Sequence, residues 1–194
     1  MAPPKFKHIF EPRYASMNMT LTRSCGTVCL RDTLNVPELN HMAEVRTLVE
    51  GSVSQRFMPS VMFYDSGCRL AQAVGDSWPH TKIFVDKFHM AGHSLHDSNC
   101  QTNHNPNVFH PHLYRKASDG SDVFLWNSSM AEVTNSWLTG LSGHVKTSCV
   151  AWHDAWLNHL CLAHNELTMS RQSKEGANNQ HPQWYKDSRS GELL

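Results

Sequence analysis

A chain of 194 residues, 40% hydrophobic and 18% charged, has material for one buried core but hardly two, and its composition excludes a disordered polypeptide. With 17 Lys and Arg against 17 Asp and Glu, no overall positive field holds nucleic acid, although a local basic patch fits inside a neutral total. The unusual feature is 14 His beside 6 Cys, the ligand types preferred by borderline-soft metals such as zinc. Residues 1–20 contain Pro3, Pro4, Glu11 and Pro12 and do not read as a signal peptide, and no segment approaches the length of a membrane span. The expected setting is therefore nucleus or cytoplasm, with no membrane partner and with cysteines reduced or metal-bound rather than disulfide-paired.

In chain order, residues 1–19 read as an irregular segment. Residues 19–34 alternate Thr with apolar residues around Cys25, Gly26, Thr27 and Val28, which predicts two short strands joined at the glycine. Cys25 and Cys29 are read as small core residues of that hairpin, a second metal site being the alternative. Pro37 and Glu38 open a helix in which Leu39, Met42, Ala43, Val45, Arg46 and Val49 recur at roughly helical spacing until Gly51. A buried strand follows at 60–65, ending in Asp65, then a helix over Leu70 to Val74, then a second strand, Lys82 to Asp86, again ending in an acid. Two strands separated by one helix predict parallel neighbours in a βαβ unit.

Residues 89–122, rich in His, Asn, Ser and Pro without a period, read as an irregular insert needing a function or a metal to order it. Ser129 and Glu132 match a capping box, and Val133, Trp137, Leu138, Leu141 and Val145 mark the expected buried face of the next helix. A last helix is expected over about 150–165, with Trp137, Trp152 and Trp156 read as core rather than base-stacking residues. Residues 169–194 carry few apolar side chains and are expected to be a disordered tail. Lys82, Lys87, Arg115, Lys116 and Lys146 are scattered, as solvated surface charges are. The sequon Asn127-Ser128-Ser129 is read as accidental, there being no export signal.

Four blocks, in this order, carry a resemblance. They are Tyr64-Asp65-Ser66-Gly67-Cys68; Asp86-Lys87-Phe88-His89-Met90-Ala91-Gly92-His93 with Cys100 beyond it; Asn127 to Leu138; and a closing helix reaching His164-Asn165. Over about residues 20–166 the chain resembles the transposases of the Kyakuja, Dileera and Zisupton superfamily of eukaryotic mobile elements. The resemblance implies an α/β, ribonuclease-H-like core over 20–168, incomplete at its N-terminus because the match begins at the second strand. It also implies cut-and-paste chemistry on DNA at transposon ends with Mg2+ or Mn2+, and a second copy of the chain is a further candidate partner. In such cores acids stand on the first strand, at the end of the fourth strand and on a late helix, where carboxylates hold the two metals that stabilise charge on the attacking and leaving oxygens. Asp65 fits the second place and Glu132 the third, while Asp86 matches a family position and offers an acid at a second strand end. Residues 1–20 supply only Glu11 for the first place, so the isolated chain is expected to be inactive as a nuclease.

Each residue has a plainer alternative. Asp65 can cap the helix after its strand, and Ser129 with Glu132 can be a capping box alone. His89 and His93, four residues apart, would share one face of a helix and could grip one zinc ion with Cys100; Cys68 or His96 would be the fourth ligand, and Cys68 is preferred because it follows Asp65 at the neighbouring strand end. Against this stands simple hydrogen bonding within the insert. The rival to a DNA-acting domain is accordingly a non-catalytic, zinc-stabilised interaction module, or a decayed transposon fragment.

Overall fold

The computed structural model describes residues 17–34, 41–54, 58–142 and 150–174. The hairpin expected at residues 19–34 forms from β1 (Met17–Thr22) and β2 (Val28–Leu34), paired antiparallel with Leu21 opposite Leu30. Its turn requires glycine, because Gly26 sits at φ 92°, a left-handed conformation that costs other residues energy. Helix α1 (His41–Ser52) buries Val45 and Val49, one turn apart, as its spacing predicts. Its outer face is tied down by Arg46, which donates to Ala73 O and Ser77 Oγ while pairing with Glu50.

The βαβ unit follows. Strand β3 (Val61–Tyr64) pairs in parallel with β4 (Lys82–Val85), and α2 (Gly67–Val74) makes the crossover. Leu70, Val74, Met62, Ile83 and Trp78 form one core with Val45, Val49, Met19 and Leu30, so the hairpin and the βαβ unit share a single buried interior. Parallel register sets the carboxyl ends of both strands side by side, and Asp86 N donates to Tyr64 O at 3.2 Å. Asp65 and Asp86 therefore leave the sheet at the same edge.

The insert differs from expectation. It contains a second hairpin, β5 (Tyr114–Lys116) and β6 (Asp122–Phe124), turning at Gly120 with φ 83°. The few apolar residues of this region are concentrated: fully buried Leu113, with Tyr114, Phe124 and Trp126, packs against Val61 and Phe84 of the sheet. Trp126 Nε1 donates to His112 O and the Tyr114 hydroxyl to Pro106 O, so apolar burial and these bonds tie the hairpin to the sheet.

Helix α3 (Met130–Ser142) buries Thr134 and Leu138, whereas Val133 and Leu141, expected inside, are exposed; Val145 lies outside the described residues. The inward side is the one on which Leu138 packs with Val28, Leu157 and Cys161, while Asn135 accepts an exposed hydrogen bond from Thr20 of β1. Helix α4 (Val150–Lys174) runs nine residues past its expected end at 165, so 169–174 of the expected tail are helical; residues 175–194 lie outside the described set. Its buried line is Asp154, Leu157, Cys161 and Asn165. Trp152 (65% exposed) and Trp156 (49%) point away from it, which corrects their reading as core residues; Trp137 is half-buried against the His164 ring.

Polar side chains place α4 on the hairpin. Asn165 Oδ1 accepts from Val28 N at 2.8 Å and its Nδ2 donates to Val28 O at 2.9 Å, satisfying both backbone groups of one buried residue. His164 Nε2 lies 3.0 Å from Gly26 O and Gln172 Nε2 donates to Cys25 O, while Cys29 stays half-buried on β2. Buried Arg31 pairs with Asp154 at 2.9 Å and also donates to Asn18 and Thr33. The architecture is mixed α/β, with three separate two-stranded sheets among the described residues, and no described helix is long and apolar enough to cross a membrane.

A candidate carboxylate–histidine metal site beside a thiol–imidazole cluster

Asp65, at the end of β3, and Asp86, at the end of β4, meet Glu132 from the first turn of α3. His89 stands among them, with Nδ1 3.2 Å from Asp65 Oδ1, 3.5 Å from Asp86 Oδ1 and 3.7 Å from Glu132 Oε1. The ligand atoms of Asp65, His89 and Glu132 all lie within 4.8 Å of one another. Nevertheless His89 Nδ1, Asp86 Oδ2 and Glu132 Oε2 are buried without a hydrogen-bond partner. Three carboxylates gathered around one imidazole, with a buried oxygen of Asp86 and one of Glu132 unpartnered, are the kind of donor set a cation satisfies.

Local geometry explains each position. Asp86 precedes the 3-10 turn over His89–Gly92; its Oδ1 accepts from Phe88 N at 2.7 Å and its backbone O accepts from His89 N at 3.2 Å. That backbone turn from 86 to 89 leaves His89 Nδ1 3.5 Å from Asp86 Oδ1. The capping alternative for Asp65 fails, because Ser66 is the N-cap of α2 and no side chain bonds there; of the Asp86 carboxylate, on a residue only 3% exposed, Oδ1 is bonded and Oδ2 has no partner. For Glu132 the capping-box alternative fails to account for an orphaned Oε2. Lys87 holds its ammonium over the Phe124 ring at 4.5 Å, and Lys116 pairs with Asp122, while Lys82 and Arg115 are exposed and Lys146 lies outside the described residues.

The electrostatics fit a site short of positive charge. Burial raises the Glu132 carboxyl above the usual range, its own backbone N–H opposes this, and Asp86 and Asp65 add to the rise while His89 counters it. Tyr64, pushed up to about 12 by burial and then by Asp65, stays protonated. A folded-state value above the unfolded one contributes stability below the unfolded pKa that is lost as pH rises through the folded value. Without metal, therefore, Glu132→Gln is expected to raise stability by about 0.5–2 kcal/mol at neutral pH and to remove a loss of stability that the parent shows across the weakly acidic range. Thermal melts of both proteins from pH 4 to 8 in chelator check this; a destabilised Gln variant would mean that the carboxylate is structurally required.

Cys68, His93 and Cys100 form a second cluster. Cys68 on the first turn of α2, His93 after the 3-10 turn and Cys100 in a π-helical turn (Cys100–His104) bring Sγ, Nδ1 and Sγ together, with the His93 nitrogen 3.6 Å from Cys68 and 3.2 Å from Cys100. Burial, and next the adjoining Cys68 thiol, push Cys100 up to about 12, so a metal there must displace protons. The four residues expected to share one ion are thus divided: His93, Cys100 and Cys68 remain together, and His89 belongs to the carboxylates. The reason is conformational. The 3-10 turn ends before His93, whose extended backbone (φ −86°, ψ 144°) sends it away from His89, in contrast to the common helix face that their spacing predicts. His96 is exposed and outside both groups.

Asp65, Asp86 and Glu132 were all legible as candidates, but His89 as their companion was not; the i, i+3 spacing from Asp86 was its one signal. Hard carboxylate oxygens suit Mg2+ or Mn2+, and one imidazole favours Mn2+ of the two. No protein-family model, curated protein or solved structure matches this chain.

Proposed function

We propose that the chain is a transposase-derived, DNA-acting domain of ribonuclease-H-like type, working in the nucleus or cytoplasm, in which Asp65, Asp86, Glu132 and His89 hold one divalent cation, Mg2+ or Mn2+. The observation that carries this reading is that Asp65 after one strand end, His89 and Glu132 from a late helix, far apart in sequence, bring ligand atoms within 4.8 Å of one another, with Asp86 Oδ1 3.5 Å from the same His89 nitrogen. When bound, such a cation neutralises charge on a phosphodiester and polarises an attacking water. Asp65 is the exposed member and can shift between cation and solvent, while buried Asp86 fixes the inner wall. Glu132 closes the site from α3 and His89 supplies the nitrogen that selects Mn2+ over Ca2+.

The resemblance assigns one more acid to a strand preceding β1, and among the described residues no further carboxylate joins the group. Binding and cleavage are therefore expected to separate. Titration followed by Mn2+ electron paramagnetic resonance should find about one ion per chain, weakened at least ~100-fold in the Asp65→Asn/Glu132→Gln variant, a loss on the order of 2.7 kcal/mol or more. The Mn2+-loaded chain should leave supercoiled DNA intact. Equal Mn2+ binding by parent and double variant would overturn the metal site, and metal-dependent nicking abolished by Asp65→Ala would overturn the inactivity. The second reading, a non-catalytic zinc-stabilised module, is favoured by the separate Cys68, His93 and Cys100 cluster.

A further inference from the structure

We infer that Cys68, His93 and Cys100 form a zinc site that does not include His89, is completed by a solvent oxygen, and acts as a positioning device for Asp65. The inference deepens the carboxylate-site reading, since the group it positions belongs to that site. Three observations carry it. His93 Nε2 lies 2.9 Å from the Asp65 backbone carbonyl oxygen, which can only accept, so Nε2 carries the ring proton and Nδ1 presents a bare lone pair. That lone pair faces both sulfurs, at 3.6 Å and 3.2 Å. Tetrahedral bonds of about 2.3 Å to sulfur and about 2.0 Å to nitrogen put neighbouring S and N ligands roughly 3.5 Å apart, so the three atoms already stand near ligand spacing.

The second N–H of a zinc-bound imidazole characteristically donates to a carbonyl or carboxylate, which orients the ring. Here that acceptor is the peptide of Asp65, three residues before Cys68 in the chain. Zinc would therefore join three separate segments, the start of α2, the end of the 3-10 turn and the π-helical turn, and hold Asp65 from both its own carbonyl and the helix that follows it.

The test uses the full 194-residue chain purified without a His-tag under reducing conditions. About one zinc per chain is expected, with Co2+ replacement giving the thiolate charge-transfer and intense d–d bands of a tetrahedral sulfur–nitrogen site. Cys68→Ser, at a half-buried position, and His93→Ala should each lose the zinc; the Co2+ spectrum of the parent supports the ligand set even where a variant folds poorly. Removing zinc should weaken Mn2+ binding at the carboxylates roughly 10-fold or more, the scale of lost outer-shell support. The Asp65→Asn/Glu132→Gln variant should lose Mn2+ yet keep its zinc, so failure of either site is seen apart from the other. A metal-free protein indifferent to chelator, or zinc retained by both single variants, would overturn the site. Unchanged Mn2+ affinity after zinc loss would overturn the positioning role.

Discussion

Gly67→Ala is expected to cost about 1–3 kcal/mol of stability, the range for overpacking a filled interior, and to weaken Mn2+ binding at the same time. A Cβ on residue 67 would stand 2.6 Å from Phe84 C and 2.8 Å from Val85 N. These are backbone atoms of β4, which unlike a flexible side-chain tip cannot swing aside, so either α2 or the strand must move. Because Gly67 lies two residues after Asp65, and Val85 immediately precedes Asp86, that movement widens the gap between two acids of the site. Chemical denaturation together with a Mn2+ titration checks both consequences. A stable Ala variant with parental Mn2+ affinity would show that the close approach of helix and strand does not set the site.

Asp154→Ala is expected to destabilise the chain by about 3–5 kcal/mol, the cost of leaving a buried charge unpaired, or roughly 6–20 °C in Tm at this chain length. Arg31 is 4% exposed and Asp154 6%, and their 2.9 Å pair links β2 to α4. Thr33 Oγ1 donates to the same carboxylate oxygen at 2.7 Å, and Asn18 accepts from the guanidinium, so the substitution disturbs a network. Replacing both charges, as in Arg31→Met/Asp154→Leu, should recover most of the loss, because no uncompensated ion remains. Thermal melts of the two variants decide it; a double variant as unstable as the single one would mean that the network's hydrogen bonds, and not the buried charge, hold α4 in place.

Amino-acid order by itself determined the elements whose signals are local. Val61 to Tyr64 and Lys82 to Val85 are short apolar runs around a helical stretch, so the parallel pair and the exit of Asp65 and Asp86 at one edge follow from pattern alone. Gly26 marked the hairpin turn, Val45 and Val49 the inner side of α1, and Cys68, His93 and Cys100 were visible by residue type. What depends on distant partners could not be read in this way. Helical period does not say which way Trp152 and Trp156 face when the opposite side, Asp154, Leu157, Cys161 and Asn165, finds a polar and apolar match on the hairpin. The pattern in 89–122 does not show that Leu113 and Tyr114 pack against Val61 and Phe84 of the sheet. Tertiary structure likewise divided the two histidines: the 3-10 turn from His89 ends before His93, whose extended backbone turns its ring to the thiols, whereas His89 stays with the acids. Spacing in sequence names possible ligands, but only the backbone path between them decides which ones can reach the same ion.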